Sequence, residues 1–268
     1  MRTPLFARLF GDRPKTVIGM IHVRALPGAP RHAGGMAPVL DHALAEAETY
    51  RACGIHALMV ENMHDIPYVQ HPGPEIAAAM AVVAREVKRA HPALPLGLQI
   101  LAGANRDALA AALAAGADFI RAEAFVFGHV ADEGYMDSCA GALLRHRKAI
   151  GAESIAIFTD IKKKHSAHAI TADVDIVQTA HAAEYFLSDG LILTGAATGE
   201  AASADELGAV CAATKLPVLV GSGITAGNLG DYLPLADAFI VGSHFKKDGR
   251  WANPLDPDRI RRLLDALA

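Results

Sequence analysis

The chain has few aromatic residues, few cysteines and no excess of positive charge. Aromatic side chains make up 6% of its 268 residues, so we expect an interior built from Ala, Val, Leu and Ile. The formal net charge of -4 argues against nucleic acid as the main partner, because a phosphate backbone is bound by clustered Lys and Arg. Cys53, Cys139 and Cys211 lack the paired spacing of a metal site, and we expect reduced thiols in a cytoplasmic protein.

Long apolar runs are also missing. Residues 1–15 mix arginines with Leu and Phe and contain no apolar stretch of the ~7–15 residues typical of a signal peptide. No run reaches the ~20 apolar residues of a membrane helix, so we expect no transmembrane segment. We interpret residues 1–14 as an amphipathic N-terminal arm that packs on the rest of the protein or on a partner subunit.

A repeating pattern of short apolar runs and Ala-rich stretches fills the remainder of the chain. The apolar runs predict buried parallel strands at 17–22, 55–60, 95–101, 118–123, 154–160, 190–194, 217–220 and 237–242. The stretches between them predict helices at 38–52, 74–90, 105–115, 135–150, 175–188, 203–214, 225–233 and 256–267. Eight such units predict an α/β fold, a (β/α)8 TIM barrel, as one domain over residues 15–268. A doubly wound open sheet is the alternative, but no GxGxxG follows the first strand.

Polar and charged side chains collect where the predicted strands end. Barrel enzymes place their functional groups at this end, whereas the opposite ends are bland here. Burying a charge is costly unless it is paired, so these residues predict either a ring of salt bridges or an active site, and their number favours the site. They are His22, Glu61, Gln99, Arg121, Glu123, Asp160 and Lys162.

The segment after the fifth strand, Asp160 to His168, is rich in Lys and His, which suits an anionic substrate. Lys162 is the preferred base or Schiff-base nucleophile because it lies two residues after Asp160 and should share its face. Lys163 and Lys164 are expected in a solvated loop, and His165 is a further catalytic candidate. Residues 125–135 resemble a lid, whose His129 is either an acid–base group or a packed histidine.

Two glycine-rich loops predict a phosphate site after the seventh and eighth strands. Gly221, Ser222 and Gly223 follow one strand, and Gly242 and Ser243 follow the other. Glycines allow the backbone to approach an oxyanion, and many barrels bind phosphate at these two loops. A tight turn without a ligand is the alternative for either loop alone.

A divalent cation is a secondary interpretation of the acidic residues. His22, Glu61, Glu123 and Asp160 could supply nitrogen and oxygen ligands. No HExxH or close His-x-His spacing supports such a site, so no residue is assigned to a metal and no cofactor is assigned.

Several motifs resemble those of the BtpA/SgcQ family. They include VIGMIHV at 17–23, LPG at 26–28, VENMHD at 60–65, GAN at 103–105, ADEG at 131–134, DIKKKH at 160–165, GSG at 221–223 and GSHFKKDG at 242–249. The resemblance runs from about residue 15 to the C-terminus. It implies a TIM barrel related to the phosphate-binding barrels. Cyanobacterial members are named for photosystem I biogenesis, and another branch is associated with sugar transport and metabolism.

Two functions follow as expectations. The first is an enzyme with isomerase, lyase or transferase chemistry on a small phosphorylated metabolite, either a sugar phosphate or a nucleoside-like compound. The second is a non-enzymatic assembly or stability factor for a membrane complex, with a surface patch that includes Phe6, Leu9 and Phe10. Homo-oligomer formation is left open for both.

Overall fold

Eight parallel strands close into a barrel in this computed structural model, which describes residues 3–163, 165–195 and 199–267. In the described part of the chain the strands are β1 (Thr16–His22), β2 (Ala57–Glu61), β3 (Leu96–Gln99), β4 (Phe119–Ala122), β5 (His129–Ala131), β6 (Gly134–Met136), β7 (Ala156–Asp160), β8 (Ser166–Ala167), β9 (Gly190–Leu193), β10 (Val218–Val220) and β11 (Ala238–Val241). The barrel strands run in the order β1-β11-β10-β9-β7-β4-β3-β2, and the predicted TIM barrel is confirmed.

The strand register sets the level at which the predicted site residues lie. His22 pairs with Glu61 across β1 and β2, and Glu61 pairs with Gln99 across β2 and β3. These three residues therefore lie at the same level at the C-terminal end of the barrel. All residues of β1 and β2 are buried, as expected for parallel strands covered by helices.

Helices cover the outside of the barrel. Those described are α1 (Pro4–Phe10), α2 (Met36–Ala52), α3 (Pro74–Ala90), α4 (Asn105–Ala115), α5 (Ala140–Ala149), α6 (Ile176–Tyr185), α7 (Ala204–Ala213), α8 (Leu229–Tyr232) and α9 (Pro257–Asp265).

Two predicted helices begin four or more residues later in the structure. The helix predicted over 135–150 begins only at Ala140, because Gly134–Met136 form β6. The helix predicted over 225–233 is reduced to four residues, because Asn228 Oδ1 accepts hydrogen bonds from Thr225 N and Thr225 Oγ1 and holds the preceding residues in a turn.

The N-terminal arm packs on the barrel. Phe6 and Phe10 of α1 are buried at its N-terminal end, where their rings contact those of Phe119 and Phe158 at centroid distances of 5.9–6.3 Å. Leu9 is 9% exposed. The aromatic side chains that would have formed a surface patch therefore belong to the interior.

A small antiparallel sheet lies at the other end, in the order β6-β5-β8. It joins the loop after β4 to the loop after β7 through the pairs Val130–Ala167 and Ala131–Ser166. The turn of the β5–β6 hairpin is held by Gln70, whose Nε2 donates to Glu133 O at 2.7 Å. The segment predicted as a lid is thus a hairpin fixed to two neighbouring loops.

No helix among the described residues is both long enough and apolar enough to span a membrane.

Candidate functional site

A cavity of about 540 Å³ opens at the C-terminal end of the barrel. Both predicted glycine loops reach it, together with strand-end residues from four strands. The predicted site residues that line it are His22, Glu61, Arg121, Glu123, His165, Gly221, Ser222, Gly223, Gly242 and Ser243. Three others, Asp160, Lys162 and His129, lie outside this lining and border a separate space of about 20 Å³.

Arg121 and Asp160 form a buried ion pair at the base of the cavity. Arg121 donates from Nε to Asp160 Oδ2 at 2.9 Å and from Nη2 to Oδ1 at 2.8 Å. Burial disfavours the charged guanidinium, but the Asp160 carboxylate outweighs this effect and raises the pKa of Arg121. Asp160 therefore fixes Arg121 in a planar, fork-like geometry, with the guanidinium at the cavity.

Glu123 and Lys163 form a second buried pair. Lys163 Nζ lies 3.1 Å from Glu123 Oε2 and 3.6 Å from Glu133 Oε2, and both Lys163 and Glu123 are less than 10% exposed. Gln99 Nε2 donates to the other Glu123 oxygen at 3.0 Å. Burial raises the pKa of Glu123, although Lys163 opposes this shift. For Lys163, burial favours the neutral amine, but Glu123 and Glu133 outweigh it and raise its pKa.

The inward position expected for Lys162 is occupied by Lys163. Lys162 has φ 49° and its Nζ donates to Val174 O at 2.5 Å, away from the main cavity. Lys162 borders the same small space as Asp160, as their two-residue spacing predicts, but this space is separate from the main cavity. The expectation that Lys163 is solvated was wrong, since it is 8% exposed, and Lys164 lies outside the described residues.

The two histidine candidates of this region lie apart. His165 lines the main cavity and is exposed. His129 is buried beside His168, with ring centroids 5.3 Å apart. Burial, His168 and Lys163 lower the pKa of His129 to about 4, despite the opposing effect of Asp160. His129, the first residue of β5, is therefore neutral near pH 7 and packed beside His168.

His22 faces the cavity with a defined tautomer. Its Nδ1 lies 2.9 Å from Trp251 O, and because a carbonyl only accepts, the proton is on Nδ1. In the neutral ring Nε2 is then an acceptor. Gly242 is close to it, since a Cβ at that position would lie 2.9 Å from Nε2. The glycine therefore makes room for the imidazole at the barrel mouth.

The N–H groups of the two glycine loops differ in whether the described residues supply them with a hydrogen-bond acceptor. Gly221 N donates to Leu193 O at 2.7 Å, and the Ser222 hydroxyl accepts from Gly195 N and donates to Glu200 O, each at 2.8 Å. These groups are therefore committed to the fold. The structure records no acceptor for the N–H groups of Gly223 and Ser243 among the residues it describes. Gly223 has φ 69°, a conformation that favours glycine.

Arg259 adds a positive charge to the same end of the cavity. Its Nε donates to His244 O at 2.5 Å, and its Nη2 lies 3.2 Å from His244 Nδ1. Burial, Arg259 and Arg262 lower the pKa of His244 to about 4. Because a guanidinium only donates, His244 Nδ1 accepts from Arg259, and the backbone N–H of Ala226 points at His244 Nε2 at 3.4 Å. Gly223, Ser243 and Arg259 are therefore the candidate hydrogen-bond donors to an anion at this end of the cavity.

Among the cavity residues that were not assigned to the site from the sequence are Glu133, Lys163, Trp251 and Arg259. All come from loops or from the start of α9 rather than from strand ends. Glu133 lay within the predicted lid, so its acidic character was visible. Neither Trp251 nor Arg259 carries a spacing that points to a barrel mouth.

Among the described residues, no group of three or more His, Cys, Asp or Glu side chains is arranged to hold a metal ion. The carboxylates are instead paired with Arg121 and Lys163, or lie apart from one another.

Comparison with known sequences shows which family this chain belongs to. The sequence profile of the BtpA family matches residues 13–268. The chain belongs to the BtpA family. A relative from Caenorhabditis elegans, an uncharacterized protein whose name includes the word mitochondrial, is 49% identical to this chain. The alignment covers 96% of this chain and 95% of the relative. The photosystem I biogenesis protein BtpA of Synechocystis is 32% identical over 94% of this chain and 88% of its own.

Solved structures share the fold with this BtpA family member. Geranylgeranylglyceryl phosphate synthase from Thermoplasma acidophilum, solved with its substrate sn-glycerol-1-phosphate, aligns with a TM-score of 0.61 and 17% identity over 100% of this chain and 99% of its own. Orotidine 5′-phosphate decarboxylase from Pyrococcus horikoshii aligns with a TM-score of 0.56 and 14% identity over 93% and 98%. At these identities the likeness extends to the fold alone.

Proposed function

We propose that the protein is an enzyme that acts on a small phosphorylated metabolite, a sugar phosphate or a nucleoside-like compound. One observation carries the proposal: a single cavity is lined by two glycine-rich loops and Arg259 as well as by the buried pair of Glu123 and Lys163. The structural neighbours support it, because the two named above are a phosphate synthase holding sn-glycerol-1-phosphate and a 5′-phosphate decarboxylase.

The phosphate would be bound by the loops after β10 and β11. In the part of the chain that the structure describes, the N–H groups of Gly223 and Ser243 have no recorded acceptor, and Arg259 supplies the charge. Successive N–H groups beside a guanidinium form a strong oxyanion site, since charge-assisted hydrogen bonds are about twice as strong as neutral ones. We retain Gly221, Ser222 and Gly242 as residues that shape this site.

The chemistry would be proton transfer rather than Schiff-base formation. Lys163 is held as an ammonium by two carboxylates, and an ammonium is not a nucleophile. It can stabilise a developing oxyanion, while Glu123, with its raised pKa, and His22, with an acceptor Nε2, move protons. Glu61 and Arg121 would bind substrate hydroxyl or carboxylate groups from the same cavity.

Phosphorus NMR of a panel of phosphate esters tests the proposal. We expect the wild-type protein to convert at least one ester, and Glu123→Gln to slow that conversion by ~10²–10⁴, the usual contribution of a general acid or base. Glu153→Gln is the matched control, because Glu153 is exposed and pairs with Lys148 outside the cavity. Conversion that is equally fast in Glu123→Gln would remove the acid–base assignment.

An assembly or stability factor for a membrane complex is the second candidate, favoured by the Synechocystis relative named for photosystem I biogenesis. Since Phe6, Leu9 and Phe10 are buried, it would need another surface. Tyr185, Phe186 and Leu187 supply one, with exposures of 83%, 46% and 67%. In a strain lacking the protein, this role predicts that Leu187→Asp fails to complement and Glu123→Gln succeeds. The enzyme predicts the reverse.

Location and assembly are separate proposals. We propose the cytoplasm, because the three cysteines are free thiols as expected in a reducing compartment. The name of the Caenorhabditis elegans relative points to the mitochondrion as the competing compartment, and imaging of the tagged protein in its own cells distinguishes the two.

Light scattering of the purified protein tests for a homo-oligomer, for which the exposed segment of Tyr185, Phe186 and Leu187 is a candidate contact.

A further inference from the structure

Trp251 lines the cavity close in sequence to the second candidate phosphate loop. It belongs to the same connection, between β11 and α9, as Ser243 and His244 of the candidate phosphate site, and its indole lines the cavity. Its backbone is fixed to β1, because His22 Nδ1 donates to Trp251 O. A rigid aromatic side chain therefore stands beside the candidate phosphate loops.

The indole has no parallel ring partner among the described residues. His64 approaches it at a centroid distance of 4.9 Å with an interplanar angle of 61°, and His22 at 6.1 Å with 74°. Both contacts are edge-on. A half-buried indole that is braced at its sides and not stacked by the protein is suited to receive a planar ring on its face.

Apolar side chains also line the cavity. They are Met63, Ile66, Pro67 and Leu101, in contrast to the charged Arg121, Glu123 and Lys163. A volume of about 540 Å³ lies in the ~300–1,000 Å³ range of sites for drug-sized ligands, more than a short sugar phosphate needs. Asp132, an exposed carboxylate at the rim, can accept a hydrogen bond from a ring N–H or amino group.

We propose that the substrate is a sugar phosphate that carries a planar nitrogenous ring, as a nucleoside 5′-monophosphate does, and that Trp251 selects it by stacking on this ring. The inference rests on the proposed function, because it takes the phosphate end from that proposal. The phosphate lies at Gly223 and Ser243, the sugar faces Glu123 and Lys163, and the ring lies on the indole.

Titration with four compounds tests this proposal: AMP, adenosine, ribose 5-phosphate and octyl phosphate. Trp251 is the only tryptophan in the chain, so its fluorescence reports stacking directly, and calorimetry gives the affinities of all variants. We expect AMP to quench the fluorescence and to bind at least tenfold more tightly than ribose 5-phosphate or octyl phosphate.

Two variants separate planarity from bulk. Trp251→Leu should weaken AMP about tenfold or more, as loss of base stacking does, and leave ribose 5-phosphate unchanged. Trp251→Phe retains a flat ring and should weaken AMP less than about threefold. Unchanged unfolding temperatures exclude a folding defect.

Each failure has a distinct meaning. If ribose 5-phosphate or octyl phosphate binds as tightly as AMP, or Trp251→Leu binds AMP normally, the ring is not selected and the inference is overturned while the phosphate enzyme stands. If adenosine binds as tightly as AMP, the phosphate site fails and the ring site stands. Absence of binding by all four compounds overturns both.

Discussion

Lys163 Nζ lies 3.1 Å from Glu123 Oε2 and 3.6 Å from Glu133 Oε2, so one buried ammonium joins the end of a barrel strand to the hairpin above it. Glu123 follows β4 directly, and Glu133 lies in the turn between β5 and β6. The pair that we assign to chemistry is therefore also a structural link across the cavity. Its loss should be visible in stability as well as in activity.

Lys163→Met is expected to lower the free energy of unfolding by about 3–5 kcal/mol, because it leaves buried carboxylates without their counter-charge. Lys162→Met is the matched control and should cost less, about 1.5–3 kcal/mol, the usual value of one hydrogen bond from a charged group, here that to Val174 O. Urea unfolding of both variants at pH 7 measures the difference. Equal costs would show that the buried pair contributes no more than the single hydrogen bond of Lys162.

The pH dependence of Lys163→Met follows from Glu123. Without the ammonium, burial raises the pKa of Glu123 further above its unfolded value, so the folded state binds a proton that the unfolded state has released. The variant should therefore lose stability as pH rises above about 4.5, and its deficit relative to wild type should be smaller at pH 5 than at pH 8. If the difference in urea midpoint between the variant and wild type is the same at pH 5 and at pH 8, this assignment is contradicted.

These two lysines show how far the sequence could predict the site. The barrel, its strands and the polar strand ends were predictable, because apolar runs and polar strand ends are local patterns. The choice between Lys162 and Lys163 was not, since it depends on φ 49° at Lys162, just beyond the last strand residue. The ion pair of Arg121 with Asp160 joins residues 39 positions apart, and no local spacing indicates it.

Gly223→Ala tests the backbone of the first glycine loop. The residue has φ 69°, and a Cβ there would overlap the backbone nitrogen of Ala201. Gly151 has the same φ and open space around it, so Gly151→Ala should cost only the conformational strain of about 1–2 kcal/mol. Gly223→Ala should cost clearly more in urea unfolding. Equal midpoints for the two variants would mean that the loop shifts to accept the methyl group.

Phe6→Ala tests the closure of the barrel by the N-terminal arm. Phe6 is fully buried, so the substitution should lower the free energy of unfolding by about 3–5 kcal/mol. Phe186→Ala, at a side chain that is 46% exposed, is the control and should change it by about 0.5 kcal/mol or less. If Phe6→Ala is as stable as the control, the arm does not contribute to the folded barrel in solution.

His129→Gln tests the buried histidine at the start of β5. The pKa of His129 is lowered to about 4, whereas an unfolded histidine titrates near ~6.5. Between these values the unfolded state binds more protons, so stability falls as pH decreases from about 6.5 to 4. Between pH 7 and pH 5, the unfolding temperature of the variant should fall less than that of wild type. The exposed His71→Gln is the control, and an unchanged loss in His129→Gln would contradict the lowered pKa.

The loops were the least predictable part of the site. Trp251 and Arg259 reach the cavity because the chain after β11 folds back over the barrel mouth, with Lys246 paired to Leu255 and Asn253 Nδ2 donating to Lys247 O. Such a path depends on long-range packing rather than on periodicity. By contrast, the glycine loops were predictable, since they directly follow two recognisable strands.

Phosphate binding at the loops after β10 and β11 is the central claim, and a calorimetric titration of the protein with phosphate esters tests it most directly. Arg259→Gln and Arg261→Gln are the matched pair, because both arginines lie on α9 but only Arg259 lines the cavity, while Arg261 pairs with Asp258 at the surface. We predict that wild type and Arg261→Gln bind a phosphate ester with equal affinity and that Arg259→Gln binds it about tenfold or more weakly. Absence of binding by every ester, or equal affinity in all three proteins, would contradict the account.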